Sequence, residues 1–243
     1  MGYDAMGSNI VELMESAQAV SDPLLTRLRA VQEALRPYPE VRLLAVSKGV
    51  AANRLRLAYG HGLRHFGENY LQEALDKQEA LADLEGIVWH FIGRIQRNKT
   101  RAIARSFQWV ESVDRELVAE RLNLARVGMP PLNVLIEVNA GGEDSKGGAA
   151  PDAVESLARV IVALPQLRLR GLMALVRPRP EEADADFATL AASFRALQRA
   201  FPDQAIDTLS MGTSTDYARA LPLGSTQVRL GTALFGHRSQ ETT

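Results

Sequence analysis

Eight short apolar runs rich in branched residues, each separated from the next by a stretch of helical period, constrain this chain more than any other feature. The runs are RLLAVS (42–47), LRHFG (63–67), VWHFIG (88–93), QWVESV (108–113), NVLIEVN (133–139), LRGLMAL (169–175), IDTLSM (206–211) and TQVRLG (226–231). Between them lie helical segments near 52–60, 69–84, 97–106, 115–127, 151–164, 181–200 and 215–221, with Asp114 and Pro151 as starting signals. Strands separated by single helices build a parallel sheet, and nothing in the order suggests the reversal of an open, doubly wound one. The sequence therefore predicts an α/β fold, a single closed (β/α)8 TIM barrel. A further helix at 23–36 precedes the first strand: Asp22 can cap it, and Pro23 suits a first helical position whose N–H has no partner.

A length of 243 residues suits one large core. Residues 1–20 read as an N-terminal extension, the first eight consistent with vector-derived sequence, and 21–243 as the barrel domain. The chain has no cysteine, which excludes disulfides, thiolate metal sites and a cysteine nucleophile. A formal charge of −1 supplies no bulk field for nucleic acid or anionic lipid. No apolar run is long enough to span a bilayer, and the start, MGYDAMGSNIVELMES, lacks a secretion pattern, so a cytoplasmic location is expected.

Lys48 follows the first strand, on the barrel face where strand ends gather catalytic groups, although a lysine there more often only points to water. Strands seven and eight end in LSMGTSTD and VRLGTALFG, which place Ser210, Gly212, Ser214, Gly231 and Thr232 around the same mouth. Barrels commonly bind phosphate there through loop N–H groups and a helix amino end; the plainer alternative is that Ser214 caps the helix at 215–221. Alternation along strand eight turns Arg229 into the barrel, where a buried guanidinium needs an acceptor, either on a ligand or in an ion pair with Glu68 or Asp216. Glu68, Asn69 and His90 fall near the rim, with His90 read as a hydrogen-bonded core residue. No second ligand is spaced to form a metal site with it, so no metal is expected. The Gly-rich stretch 140–150 is either a lid or a surface connection. Arg94, Arg97, Lys99, Arg101 and Arg105 form the densest basic run, read as a solvated helix face rather than a nucleic-acid surface.

In order over residues 23–236, LLAVSK, HFGENYLQEALDK, WHFIGRIQRNK, VLIEVNAGGEDSKGG, LRGLMAL, LSMGTSTDYARAL and STQVRLGTALFG resemble the motifs of the pyridoxal phosphate homeostasis proteins. This family is also called the proline synthase co-transcribed homologues and is similar in fold to the barrel domain of alanine racemase. The resemblance implies that pyridoxal 5′-phosphate (PLP) is held as a Schiff base on Lys48. It further implies that Ser210, Ser214, Gly231 and Thr232 hold the phosphate, that Arg229 meets the pyridine nitrogen, and that Asn69 and Met173 lie beside the ring. Three positions depart from the family pattern: Gly49, expected to loosen the turn after Lys48; Arg94, adding charge near the rim; and Thr213, altering phosphate contacts.

The function expected from this resemblance is an intracellular vitamin B6 carrier or buffer without catalytic turnover, monomeric, with apo-enzymes that need PLP as recipients and with neither nucleic acid nor membrane as partner. Two enzyme readings compete with it. A PLP-dependent racemase needs a second base, for which Tyr70 or Tyr217 must stand in, because the seven residues after Gly236 leave no room for the β domain that supplies a tyrosine in two-domain racemases. A cofactor-free enzyme of phosphorylated sugars would use Lys48 on its substrate. Lys146, in the loop after strand five, is a further candidate to receive the cofactor during transfer.

Overall fold

A computed structural model describes residues 22–143 and 147–237, so the extension 1–20 and Lys146 lie outside the described residues. Asp22 opens the first helix, α1 (Pro23–Leu35), by accepting the Leu24 N–H at 2.7 Å, with Pro23 in the first turn. Eight parallel strands follow: β1 (Arg42–Val46), β2 (His65–Glu68), β3 (Val88–Phe91), β4 (Trp109–Val113), β5 (Leu132–Glu137), β6 (Leu167–Met173), β7 (Thr208–Thr213) and β8 (Gln227–Leu230). They close in chain order, with β1 paired to β8, into the barrel that the alternation predicts.

The helices between them are α2 (Ala52–Gly60), α3 (Leu71–Ala80), α4 (Thr100–Ser106), α5 (Glu116–Ala125), α6 (Val154–Val162), α7 (Pro180–Ala200) and α8 (Tyr217–Ala220). A last short helix, α9 (Thr232–Phe235), follows β8 and packs against α1. It is absent from the sequence reading. Helix α3 is also shorter than its segment, because the chain turns at buried Leu81 and sends Asp83 back to Arg56. Asp114 does not cap α5; its carboxylate accepts from Arg115 instead, at 2.6 Å.

Two apolar layers result. The larger lies between the strands and the helices, where the buried face of α7 presents Phe187, Leu190, Phe194 and Leu197. Each such side chain contributes roughly 1.5–3 kcal/mol when fully buried. The smaller, Trp109, Leu135 and Met173 with Val88 against it, fills part of the barrel interior. Much of the rest of that interior is polar, with buried Glu111, His90, Ser210, Gln227 and Arg229, and this has consequences for the site above it. Among the described residues, no helix is long and apolar enough to cross a membrane.

Candidate functional site

The carboxyl ends of the strands surround a cavity of about 270 Å³. Seven of the eight expected site residues line it: Lys48, Asn69, Met173, Ser214, Arg229, Gly231 and Thr232. Ser210 does not. It is fully buried one layer lower, and its hydroxyl is engaged by Glu111, Gln227 and Arg229.

Lys48 stands on a turn in which Val50 N–H bonds back to the Ser47 carbonyl at 3.0 Å. Gly49 takes φ +70, the left-handed region that favours glycine, and its N–H donates to Glu73. The expectation that Gly49 loosens this turn is therefore corrected: glycine allows the turn, and Glu73 pins it. Glu73 in turn accepts from Lys77, whose buried ammonium also donates to Glu68 at 2.7 Å and to the Ser47 carbonyl at 2.6 Å. Glu68 accepts the Ser47 hydroxyl at 2.6 Å as well. Burial pushes the Glu68 carboxyl up from its ordinary value, with Lys77 and Ser47 pulling the other way. This cluster grips the turn from beneath. No hydrogen bond or ion pair among the described residues engages the Lys48 amine itself.

The opposite wall comes from β7 and β8. Their register shifts between Ser210 and Thr213, and Gly212 takes φ +94 within the shifted segment. A Cβ there would lie 2.8 Å from Tyr217 Cα, so the residue must be glycine to let α8 approach. Thr213 N–H and hydroxyl both donate to Asp216, at 2.5 and 3.0 Å. Ser214 does not cap α8; its hydroxyl oxygen accepts from Gly231 N–H and Ala233 N–H, each at 3.1 Å, tying the loop after β7 to the start of α9. Main-chain donors and the hydroxyls of Thr213, Ser214, Thr215 and Thr232 thus meet at this wall.

Arg229 reaches the cavity from inside the barrel, only 4% exposed. It donates to the Ser210 carbonyl at 2.7 Å, the Ser210 hydroxyl at 2.9 Å and the Ala174 carbonyl at 2.6 Å. Neither Glu68 nor Asp216 pairs with it, and among the described residues no carboxylate lies within 4 Å of it. Burial lowers the Arg229 pKa from its ordinary value, opposed by the charges of Glu111, Asp216 and Glu137. Beneath it a polar column runs down the barrel. Glu111 accepts from Ser210 at 2.8 Å, Gln227 at 2.7 Å and His90 Nδ1 at 2.7 Å, and His90 Nε2 meets His65 Nδ1 at 2.9 Å. Burial works against the charge on Glu111, yet its bonds to His90 and Gln227 and the charge of Arg229 hold the carboxyl below the usual carboxylate range. Burial lowers His90, and burial with the neighbouring His90 and Arg42 pushes His65 down to about 3. Both rings are therefore neutral. With Glu111 charged and accepting, His90 donates from Nδ1 and receives from His65 at Nε2.

Glu111 was not among the sequence candidates, although a carboxylate in the middle of a strand buried at all its positions is itself a signal that a partner waits inside. His90 is stacked on Trp109 in the barrel interior, as a core histidine, while Glu68 lies under the Lys48 turn rather than at the rim. Tyr70 is 61% exposed, and neither it nor Tyr217 lines the cavity. The base of the 140–150 loop is fastened by Asn139 N–H to the Ala149 carbonyl at 2.9 Å and Ala149 N–H to the Glu137 carbonyl at 2.8 Å. Arg97, Arg101 and Arg105 join Arg121 in a separate open cavity of about 490 Å³ beside α4 and α5. Among the described residues, no group of three or more His, Asp or Glu side chains is placed to hold a metal ion.

Comparison with known proteins places this geometry. The family model described as alanine racemase, N-terminal domain, matches residues 21–239. The pyridoxal phosphate homeostasis protein of Pseudomonas aeruginosa is 53% identical over 212 residues, covering 86% of this chain and 90% of its own. The Escherichia coli protein of the same name is 45% identical, covering 84% and 88%. Among solved structures, PipY of Synechococcus elongatus with PLP bound superposes with a TM-score of 0.80 at 35% identity, over 88% of this chain and 100% of that one. Alanine racemase from Corynebacterium glutamicum, at 17% identity and a TM-score of 0.68, shares the fold over 90% of this chain and 62% of its own. On sequence identity across most of both chains, and on a barrel that closes in the same way, this chain belongs to the pyridoxal phosphate homeostasis protein family.

Proposed function

We propose that this protein binds pyridoxal 5′-phosphate through Lys48 and serves as a carrier or buffer of that cofactor, without catalytic turnover. The observation that carries the reading is the shared cavity, in which an amine with no internal partner, a buried cation and a wall of hydroxyl and main-chain donors face one another. The residues present fit such a group. Asn69 Oδ1 is buried without a partner beside the cavity, and an orphaned acceptor of this kind points to a ligand donor. PLP, when bound, supplies an aldehyde that condenses with an amine, a pyridine nitrogen and a phosphate dianion.

Lys48 offers the amine, held in place by its turn rather than by its own side-chain bonds. Ser214 and Thr232 offer hydroxyl donors suited to a phosphate, and Gly231, whose N–H is given to Ser214, ties the two loops together beside them. Arg229 holds an acceptor atom without protonating it, because a guanidinium keeps its protons; a ring nitrogen so held is a weak electron sink, which favours storage over carbanion chemistry. Met173 packs beneath the cavity as part of the inner apolar cluster and gives a flat ring an apolar neighbour. Ser210, buried below, supports Arg229 instead of meeting phosphate. The protein acts as a monomer and hands PLP to apo-enzymes.

The test has two parts. PLP-loaded protein is mixed with an apo-enzyme that requires PLP, and the recovery of that enzyme's activity is followed; amino acids are then incubated with the same protein in heavy water. Transfer with no α-proton exchange is the expected result. Exchange at enzyme-like rates overturns the carrier reading in favour of a racemase, and protein that stays colourless with PLP overturns cofactor binding altogether.

A further inference from the structure

Glu111 and Arg229 are opposite charges buried inside the same barrel, 0% and 4% exposed, and they do not touch as an ion pair. A buried charge without compensation costs several kcal/mol, so each requires the other or some equivalent. The link between them is one hydroxyl. Ser210 has a single proton to give, and it gives it to Glu111 at 2.8 Å; its lone pairs then accept from Arg229 at 2.9 Å and from Gln227 at 3.0 Å. An anion at Glu111 therefore fixes which way the Ser210 hydroxyl points, and that hydroxyl fixes where the guanidinium lies. Gln227 reinforces the arrangement by donating to Glu111 as well, at 2.7 Å, while its oxygen accepts from Arg42 at 3.2 Å.

The spacing matters. A carboxylate in direct contact would take the guanidinium's N–H groups for itself and turn them down the barrel. With a hydroxyl between, three N–H groups are taken by Ser210 and Ala174, and the others are left for the cavity that Arg229 lines. From this geometry we infer that Glu111 is a positioning residue for cofactor binding: acting through Ser210, it orients Arg229 and balances its charge. The inference rests on the reading that Arg229 meets the ring of bound PLP.

The experiment titrates PLP into the parent protein, Glu111→Gln, Arg229→Gln, the double variant and Ser210→Ala, reading the dissociation constant and the visible absorption band of bound PLP. Circular dichroism verifies folding of each. Glu111→Gln keeps the shape but removes the charge and replaces an acceptor with a donor. It is expected to weaken PLP at least about tenfold and to move the absorption band. Added to Arg229→Gln, it changes neither readout further, because its effect runs through Arg229. Additive losses in the double variant, or parental affinity and band in Glu111→Gln, overturn the inference. Should Glu111→Gln not fold, Ser210→Ala tests the same relay: a shifted band supports it, and an unchanged band with unchanged affinity refutes it. If Arg229→Gln itself leaves both readouts unchanged, the ring-contact reading fails first and takes the inference with it.

Discussion

The two walls of the cavity are built by different means. On the β1 side, the Lys48 amine has no hydrogen bond or ion pair among the described residues, and the turn beneath it is gripped by the charged cluster of Lys77, Glu68 and Glu73. On the β7 and β8 side no such cluster is found among the described residues; hydroxyls, main-chain N–H groups, a left-handed glycine and the Asp216 that accepts from Thr213 shape the wall, with buried Arg229 beneath it. The difference follows from what each wall must do. An amine that is to form a bond cannot be tied by its own hydrogen bonds, so its position has to be set through the chain that carries it. An anion can be held by fixed donors, which tight loops supply without any charged side chain.

The contrast breaks first at Lys77. Lys77→Met strands the buried Glu68 carboxylate and should lower unfolding free energy by about 3 kcal/mol or more in urea titration. Glu68 is already raised by burial, so the loss should shrink as the pH is lowered and Glu68 takes up a proton. On the other wall, Gly212→Ala forces a Cβ against Tyr217 in a left-handed backbone and should cost about 2–3 kcal/mol, measured the same way. Gly49→Ala puts a side chain on a left-handed backbone at φ +70 and should cost about 1 kcal/mol through that preference, less than the loss of Lys77, which sharpens the view that side-chain charges hold the Lys48 side. Ser214→Ala removes one acceptor shared by two N–H groups and should cost about 1 kcal/mol.

Below both walls, the column has its own pH signature. His65 is held neutral with its pKa at about 3, while the unfolded chain takes up a proton near the ordinary value of 6.5. Between those values the unfolded state binds more protons, so stability falls as the pH falls. Lowered His90 acts in the same direction below 6.5 and lowered Glu111 only below 4.5, while raised Glu68 and Glu137 oppose them above the ordinary value of 4.5. A fall in melting temperature from about pH 7 to about pH 5, flattened in His65→Gln, is the expected outcome of thermal unfolding.

The barrel was legible because eight short, mostly apolar runs alternate with stretches of helical period, and each of the eight stands where its run predicts. The end of the chain was less so. Strand eight is read correctly to its end at Gly231, but TALF, four residues with no side-chain cap, carries no signal of α9. Ser210 was placed at the mouth by its neighbours in LSMGTSTD, but the register shift between Ser210 and Thr213 lifts Ser214 to the cavity and leaves Ser210 below. A bulge of that kind has no fixed sequence signature. Glu73 and Lys77 were equally hidden: on a helix outside the barrel, they look like an ordinary exposed pair at a spacing of four, and only the packing of α3 against the Lys48 turn makes them part of the site.

The central claim is that the Lys48 amine captures the cofactor aldehyde. Protein incubated with PLP, reduced with borohydride and digested should show a single reduced-cofactor adduct, on the peptide that contains Lys48, and Lys48→Ala should show none. An adduct on Lys77 or any other lysine, with the Lys48 peptide unmodified, would contradict the account.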